Sequence, residues 1–336
     1  MDRDELFRQV DLAPSDYDDL HISRMMHAFV VVSHGEVVKV TEPRLAYCPL
    51  VAILYARPGG CSDREQLRQM VVEMTHEKIA TFGHFTARRE LRRSDIAVPY
   101  GASEMMMRAM QSGFLDCAVT VCDGAGTVVA DRPERVQGIG ARMNGLFYTS
   151  PIPAVIERLR RHGCRVPFAS EAAIDQVAGA RHAAEQGYRR IAVTVNGYLG
   201  GPLAELRRIE REHGVRVVII VVCTTGASRA RVQEMREHAD MVWSCGSAGV
   251  RQVVGSASLV QVSTAIPVFA VSPTGVRFLA CYSDSPELFA GLDLGRQYLI
   301  AGNVSGTAIR MGEMKTFIAE HPLPVRSDHE PRPLTE

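Results

Sequence analysis

VRVVIIVVCTTGAS, residues 215–228, carries a nearly unbroken β-branched run that stops at a thiol and a Thr-Gly turn, with a serine placed to open a helix. A strand apolar on both of its alternating faces belongs between two helical layers. The surroundings repeat the pattern. Upstream lie an apolar run at 190–195 and an amphipathic segment at 203–213, and downstream a helical spacing at 228–238 leads to a short strand at 241–244. Further strands are expected at 118–122 and 268–271, and further helices at 152–162 and 171–186. This βαβα alternation predicts an α/β fold, a mainly parallel sheet with helices on both faces.

The N-terminal third reads differently. AFVVVSHGEVVKV, residues 28–40, places two β-rich runs around His34 and Gly35, a hairpin signal. Residues 62–81 offer Ser62 and Asp63 as caps, then Leu67, Met70, Val71, Met74 and Ile79 near helical spacing, with Gly83 as the stop. Another helix is expected at 103–111. The organisation predicted is an arm at 1–27, an α+β subdomain at 28–115 with the hairpin and helices, a Rossmann-like α/β domain at 116–318, and a Pro-rich extended tail at 319–336. That tail is long enough to reach over a neighbouring subunit, and a homo-oligomer is expected.

Composition narrows the function classes. Acidic and basic residues balance at 38 each, and no basic stripe with interleaved aromatics argues for nucleic acid. No secretory signal or membrane-length apolar run opens the chain, so a soluble cytoplasmic protein is expected, with no membrane partner. A chain of 336 residues needs no disulfide staples, and a reducing compartment divides its eight cysteines between core fillers and functional thiols.

Four cysteines stand where apolar runs give out: Cys48 in RLAYCPL, Cys122 in CAVTVCDGAGT, Cys223 in VVCTTGAS and Cys245 in WSCGSAG. In open α/β sheets the ligand crevice lies beyond the carboxyl ends of the strands, so these thiols are expected to converge. Cys122 and Cys245 are the candidate nucleophiles, and a helix after Cys245 would favour its thiolate. Cys48, Cys122, Cys223 and Cys245 together number enough thiolates for a [4Fe–4S] cluster, although no CxxC pair supports one. Cys117 lies an odd five residues before Cys122, so the two face opposite sides, and Cys117 is assigned to core.

Gly124, Gly126, Thr127, Gly138 and Gly140 cluster around Cys122 and Asp123. They read either as turns or as a backbone N–H nest for an anionic substrate. The spacing matches neither a Walker loop nor a dinucleotide fingerprint, so no nucleotide cofactor is supported. Arg88, in TARRELRRSD, is the candidate arginine for that anion, against the alternative of a solvated face. Asp123 and His34 are the candidate acid–base groups.

The runs YCPL, FGHFTARRE, YGASEMM, DCAVTVCDGAGTVV, VQGIGARMNGL and CTTG resemble the methanogenesis marker protein 8 family over residues 28–280. The Arg- and Ala-rich composition suits a bacterial member. The resemblance implies a role in making coenzyme M, 2-mercaptoethanesulfonate, at a late step that installs or reduces the thiol of a two-carbon sulfonate such as sulfoacetaldehyde. It implies Cys48, Cys122 and Cys245 as cluster ligands or sulfur carriers, less directly Cys223, and a sulfur or electron donor as partner. Two other readings stay open: a decarboxylase or lyase acting on sulfoacrylate, and a non-catalytic protein that delivers sulfur or assembles a complex.

Overall fold

The computed structural model describes residues 3–334 apart from residues 14, 56, 58 and 200. The strands in the first half are β1 (His21–Met25), β2 (Ala28–Ser33), β3 (Glu36–Val40), β4 (Leu45–Tyr47), β5 (Cys117–Cys122), β6 (Gly126–Ala130) and β7 (Gly145–Thr149). Those that follow are β8 (Arg190–Asn196), β9 (Arg216–Val222), β10 (Met241–Trp243), β11 (Val260–Val262), β12 (Val268–Ala270), β13 (Tyr298–Ala301), β14 (Thr307–Met311), β15 (Met314–Glu320) and β16 (Arg332–Pro333).

Ten of these form one sheet in the order β14-β15-β13-β11-β12-β10-β9-β8-β5-β6. Pairing is parallel within the block β5-β8-β9-β10 and between β11 and β13, and antiparallel elsewhere. The expectation of a mainly parallel sheet is therefore corrected to a mixed one. The reason is connection length. Loops at 123–125, 263–267 and 312–313 leave no room for a crossover helix, and short loops join antiparallel neighbours.

Helices cover both faces of this sheet, as the continuous apolar strands require. Val217, Ile219 and Val221 of β9 pack with helices Gln176–Glu185, Leu203–His213 and Arg229–His238, while Val218 and Ile220 point into the core under helices Ala102–Gln111, Pro153–Arg161 and Pro273–Ala280. Burying a Val or Ile side chain contributes roughly 1.5–3 kcal/mol. The alternation along one strand thus anchors two layers at once.

The second sheet runs β3-β2-β1-β7 and is antiparallel throughout. Its hairpin turns at His34 (φ 50°) and Gly35 (φ 77°), the left-handed pair a two-residue loop needs. One face packs on helix Arg64–Phe82, capped by the Asp63 carboxylate accepting from the Gln66 N–H and ended by Gly83 at φ 66°. Helix Arg3–Val10 covers the other face.

Strand β7 comes from residues after the large sheet has begun, yet it pairs with β1. It therefore presses the small sheet against the carboxyl ends of β8 and β9. The Pro-rich tail is extended and lies on its own chain: β16 pairs with β4, and the Leu334 N–H donates to the Arg44 carbonyl at 3.0 Å. Among the described residues no helix is long and apolar enough to cross a membrane.

Candidate functional site

β9 and β10 are parallel neighbours, and each ends one or two residues before a cysteine in left-handed backbone, Cys223 at φ 58° and Cys245 at φ 44°. Such a conformation is unfavourable for a residue with a Cβ and persists only where its surroundings enforce it. Hydroxyls of the intervening turn do so here. Thr224 Oγ1 lies 2.7 Å from the carbonyl oxygens of both Trp243 and Ser244, and Thr225 Oγ1 accepts from the Gly246 N–H at 2.9 Å. The two strand ends are stapled together, and the Cys223 thiol feels the Cys245 charge.

Both thiols line a cavity of about 1040 Å³. Its wall also includes Trp243, Asn196, Gly145, Asn144 and Arg142. Trp243 is the chain's single tryptophan, held by its Nε1–H donating to the Tyr100 carbonyl at 2.8 Å. A Cβ on Gly145 would stand 3.2 Å from both Cys223 Sγ and Asn196 Nδ2, so the missing side chain is what leaves space for the thiol. Asn196 Nδ2 is buried with no partner.

Arg24, from β1, reaches the same strand ends. Its Nη2 donates to the Thr225 carbonyl at 2.7 Å and the Cys223 carbonyl at 3.3 Å, and the guanidinium sits 4.2 Å from the Tyr198 ring centre. Only 7% of Arg24 is exposed and its Nη1 has no partner. Burial weakens its hold on the proton, and the charges of Cys223, Tyr198 and Cys245 partly restore it. Burial pushes the Cys223 thiol up to about 12, with the Cys245 charge adding to it and Arg24, the Gly145 N–H and Lys78 opposing. Cys48 is likewise pushed up to about 11 by burial, and it feels the Cys245 charge. Cys48, Cys223 and Cys245 thus form one electrostatic neighbourhood.

Cys122 does not belong to it. Its side chain is fully buried, with Sγ donating to the Asp123 carbonyl at 3.4 Å, and burial drives the thiol far above its ordinary value. Cys117 is buried in the opposite core, as the odd spacing requires. The four-thiol set therefore does not converge, and among the described residues no three His, Cys, Asp or Glu side chains are grouped as metal ligands. These residues as placed do not fit a cluster cradle.

The glycine-rich segment is a packing device. Gly126 (φ 68°) fits against the Ala172 carbonyl, Gly138 against the Leu91–Arg92 backbone and Gly124 (φ 77°) against Ile152. Thr127 is buried, its Oγ1 donating to Gln176 Oε1 at 3.1 Å. Gly140 alone of these lines the cavity, packed on Ser103. Asp123 is buried: burial alone would raise its carboxyl, but Arg89 and His84 hold it well below the usual carboxylate range. His34 stands at the exposed hairpin tip, its Nε2 2.8 Å from Asp18 Oδ1, which raises its pKa. Arg88 is exposed, whereas its neighbour Arg89 is buried.

The cation that faces the cavity is Arg142, which no carboxylate pairs among the described residues. Its Nη1 donates to the Leu54 carbonyl at 3.1 Å and its guanidinium lies 5.0 Å from the Phe82 ring centre. Behind the wall sits Lys78, 2% exposed, its Nζ donating to Asn144 Oδ1 at 2.7 Å. Burial lowers its pKa to about 7, Asp123 and Cys223 opposing, Arg89 and Arg142 adding to the fall.

Two thiols and the Arg142 guanidinium, gathered at the carboxyl ends of neighbouring parallel strands, define an α/β protein with a thiol-lined cavity where open sheets place their ligand crevice. The chain belongs to the family described as an uncharacterized protein conserved in archaea (DUF2099), which matches residues 21–281. It is 32% identical over 319 residues to the uncharacterized protein MJ0054 of Methanocaldococcus jannaschii, an alignment covering 94% of this chain and 99% of that protein. The matched span holds Arg24, Lys78, Arg142, Cys223 and Cys245.

Proposed function

We propose that this protein is an enzyme of coenzyme M formation, converting a two-carbon sulfonate aldehyde such as sulfoacetaldehyde to the thiol with Cys245 and Cys223 as working groups. The observation that carries the reading is the stapling of those two thiols on the wall of one cavity. The resemblance to methanogenesis marker protein 8 is what suggests the pathway. Arg142, on the cavity wall, suits a sulfonate, an oxyanion that arginine binds through directed N–H donors.

The reaction balances with hydrosulfide as the sulfur donor and the two cysteines as the reductant. The aldehyde oxygen leaves as water and sulfur takes its place, giving a thioaldehyde. Cys245 adds to the thiocarbonyl sulfur and the carbon takes a proton, forming a mixed disulfide. Cys223 then attacks Cys245 Sγ, which releases 2-mercaptoethanesulfonate and leaves a Cys223–Cys245 disulfide for an external dithiol to reduce. Cys245 is assigned the first attack because burial holds the Cys223 thiol at about 12.

The test is to incubate the protein with sulfoacetaldehyde, sulfide and a dithiol reductant and to quantify 2-mercaptoethanesulfonate. Formation of product that falls at least a hundredfold in both Cys245→Ser and Cys223→Ser supports the reading. Undiminished turnover in those variants overturns the thiol chemistry.

A further inference from the structure

Of 38 basic residues only three are lysines: Lys39, Lys78 and Lys315. Lys39 pairs with Asp11 at the surface and Lys315 is exposed. Lys78 is the exception, a lysine kept inside a protein that uses arginine almost everywhere else. The two cations are not equivalent in a core, since arginine stays charged while a lysine amine can shed its proton and become a nucleophile.

The placement of Lys78 follows from its helix. In Arg64–Phe82 the buried positions are Leu67, Val71, Met74, Thr75, Lys78 and Ile79, a single stripe, so Lys78 points with the apolar face toward the small sheet. Its Nζ meets the amide oxygen of Asn144, and no carboxylate forms an ion pair with it among the described residues. The nearby carboxylate, Asp123, is already committed to Arg89 at 2.8 Å. A buried amine facing a neutral acceptor is the arrangement that leaves it uncharged and reactive. Asn144 is part of the cavity wall, next to the glycine that makes room for Cys223 and two residues from the unpaired Arg142.

We infer that Lys78 is a carbonyl-capturing residue, its amine forming an imine with a small anionic aldehyde bound in the cavity once the Asn144 amide swings aside. This inference rests on the reading above that the substrate is an aldehyde. The amine adds to the carbonyl carbon and water leaves, giving R–CH=N–Lys78. Hydrosulfide adds to the imine carbon and the lysine amine departs with a proton, which yields the thioaldehyde and regenerates Lys78. Arg142 holds the sulfonate end.

The experiment is reductive trapping, run beside the product assay on the same full-length protein. Sulfoacetaldehyde and cyanoborohydride are added without sulfide, and tryptic peptides are read by mass spectrometry. A secondary amine at Lys78 blocks cleavage there, so the adduct is carried on the peptide from Gln69 to Arg88. One adduct per chain on Lys78, with Lys39 and Lys315 unmodified, supports the inference. Its absence in a folded Lys78→Met variant, with turnover down at least a hundredfold, supports it further. Turnover without an adduct, or adducts only on Lys39 and Lys315, overturns the inference and leaves the thiol reading standing. An adduct on Lys78 with turnover undiminished in the cysteine variants keeps the inference and overturns the thiol chemistry.

Discussion

Arg89 Nε donates to Asp123 Oδ1 at 2.8 Å with both side chains sealed from solvent. Arg89 also donates to the carbonyls of Gly138 at 3.2 Å and Ile139 at 2.8 Å, and Asp123 accepts from the Phe85 N–H. One ion pair thus fastens the loop after helix Arg64–Phe82 to the β5–β6 turn and to helix Pro133–Gly140. Removing one partner of a buried pair leaves the other uncompensated, at roughly 3–5 kcal/mol. Asp123→Asn is expected to lose about that much stability in urea unfolding. A loss below about 1 kcal/mol would contradict a fastening role.

Acid sensitivity has two separable origins. Asp123 is held below its ordinary 3.8, so its contribution is present above that pH and disappears as pH falls through the folded value. His84 is fully buried, and burial first, then Arg89, lowers it from 6.5 to about 3. The unfolded chain therefore binds the extra proton first, and stability drops as pH falls from about 6.5 toward about 3. His84→Phe is expected to flatten the stability profile between pH 6 and 4 by roughly 1.4 kcal/mol per pH unit. An unchanged slope would place the titration elsewhere.

Thiol reactivity should split by position. Cys245 is partly exposed on the cavity wall, whereas Cys122 is fully buried with a thiol raised far above its usual value. Iodoacetamide on native protein is expected to label Cys245 and spare Cys122 until unfolding. Cys122→Ala should leave turnover within about twofold and reduce stability by about 1 kcal/mol. A large loss of turnover with normal stability would return Cys122 to the chemistry.

Gly145→Ala tests the space left for Cys223. The added Cβ would meet the Phe147 ring at 2.9 Å and Cys223 Sγ at 3.2 Å, so the thiol or the ring must give way. Turnover is expected to fall at least tenfold with about 1–3 kcal/mol of stability, the usual effect of overpacking. Wild-type turnover would show that the position of Cys223 Sγ is not critical.

Much of the architecture can be read from apolar periodicity. The expected elements at 62–81, 203–213, 215–223 and 228–238 appear as Arg64–Phe82, Leu203–His213, Arg216–Val222 and Arg229–His238. Strands β11 and β13 to β15 lie outside the elements the sequence predicts; β11 and β13 have only three and four residues, too few to carry a periodic signal. At the site, strand ends placed Cys223 and Cys245 together, but Cys122 follows the same local pattern and is buried beneath helices. Nothing in its neighbouring residues distinguishes a strand end that opens on a cavity from one that is roofed over. Arg24 and Arg142 come from the small sheet and its approach, and only tertiary docking brings them in. Lys78 had a visible signal: it lies four residues after Met74 and seven after Val71, on the stripe that helix buries.

Trp243 gives the molecule a built-in optical probe. Because no second indole exists in the chain and this one stands on the cavity wall two residues before Cys245, tryptophan emission arises from that wall alone. Occupancy of the pocket and the oxidation state of the neighbouring thiols can each be followed there in real time, without a label and without altering a single residue.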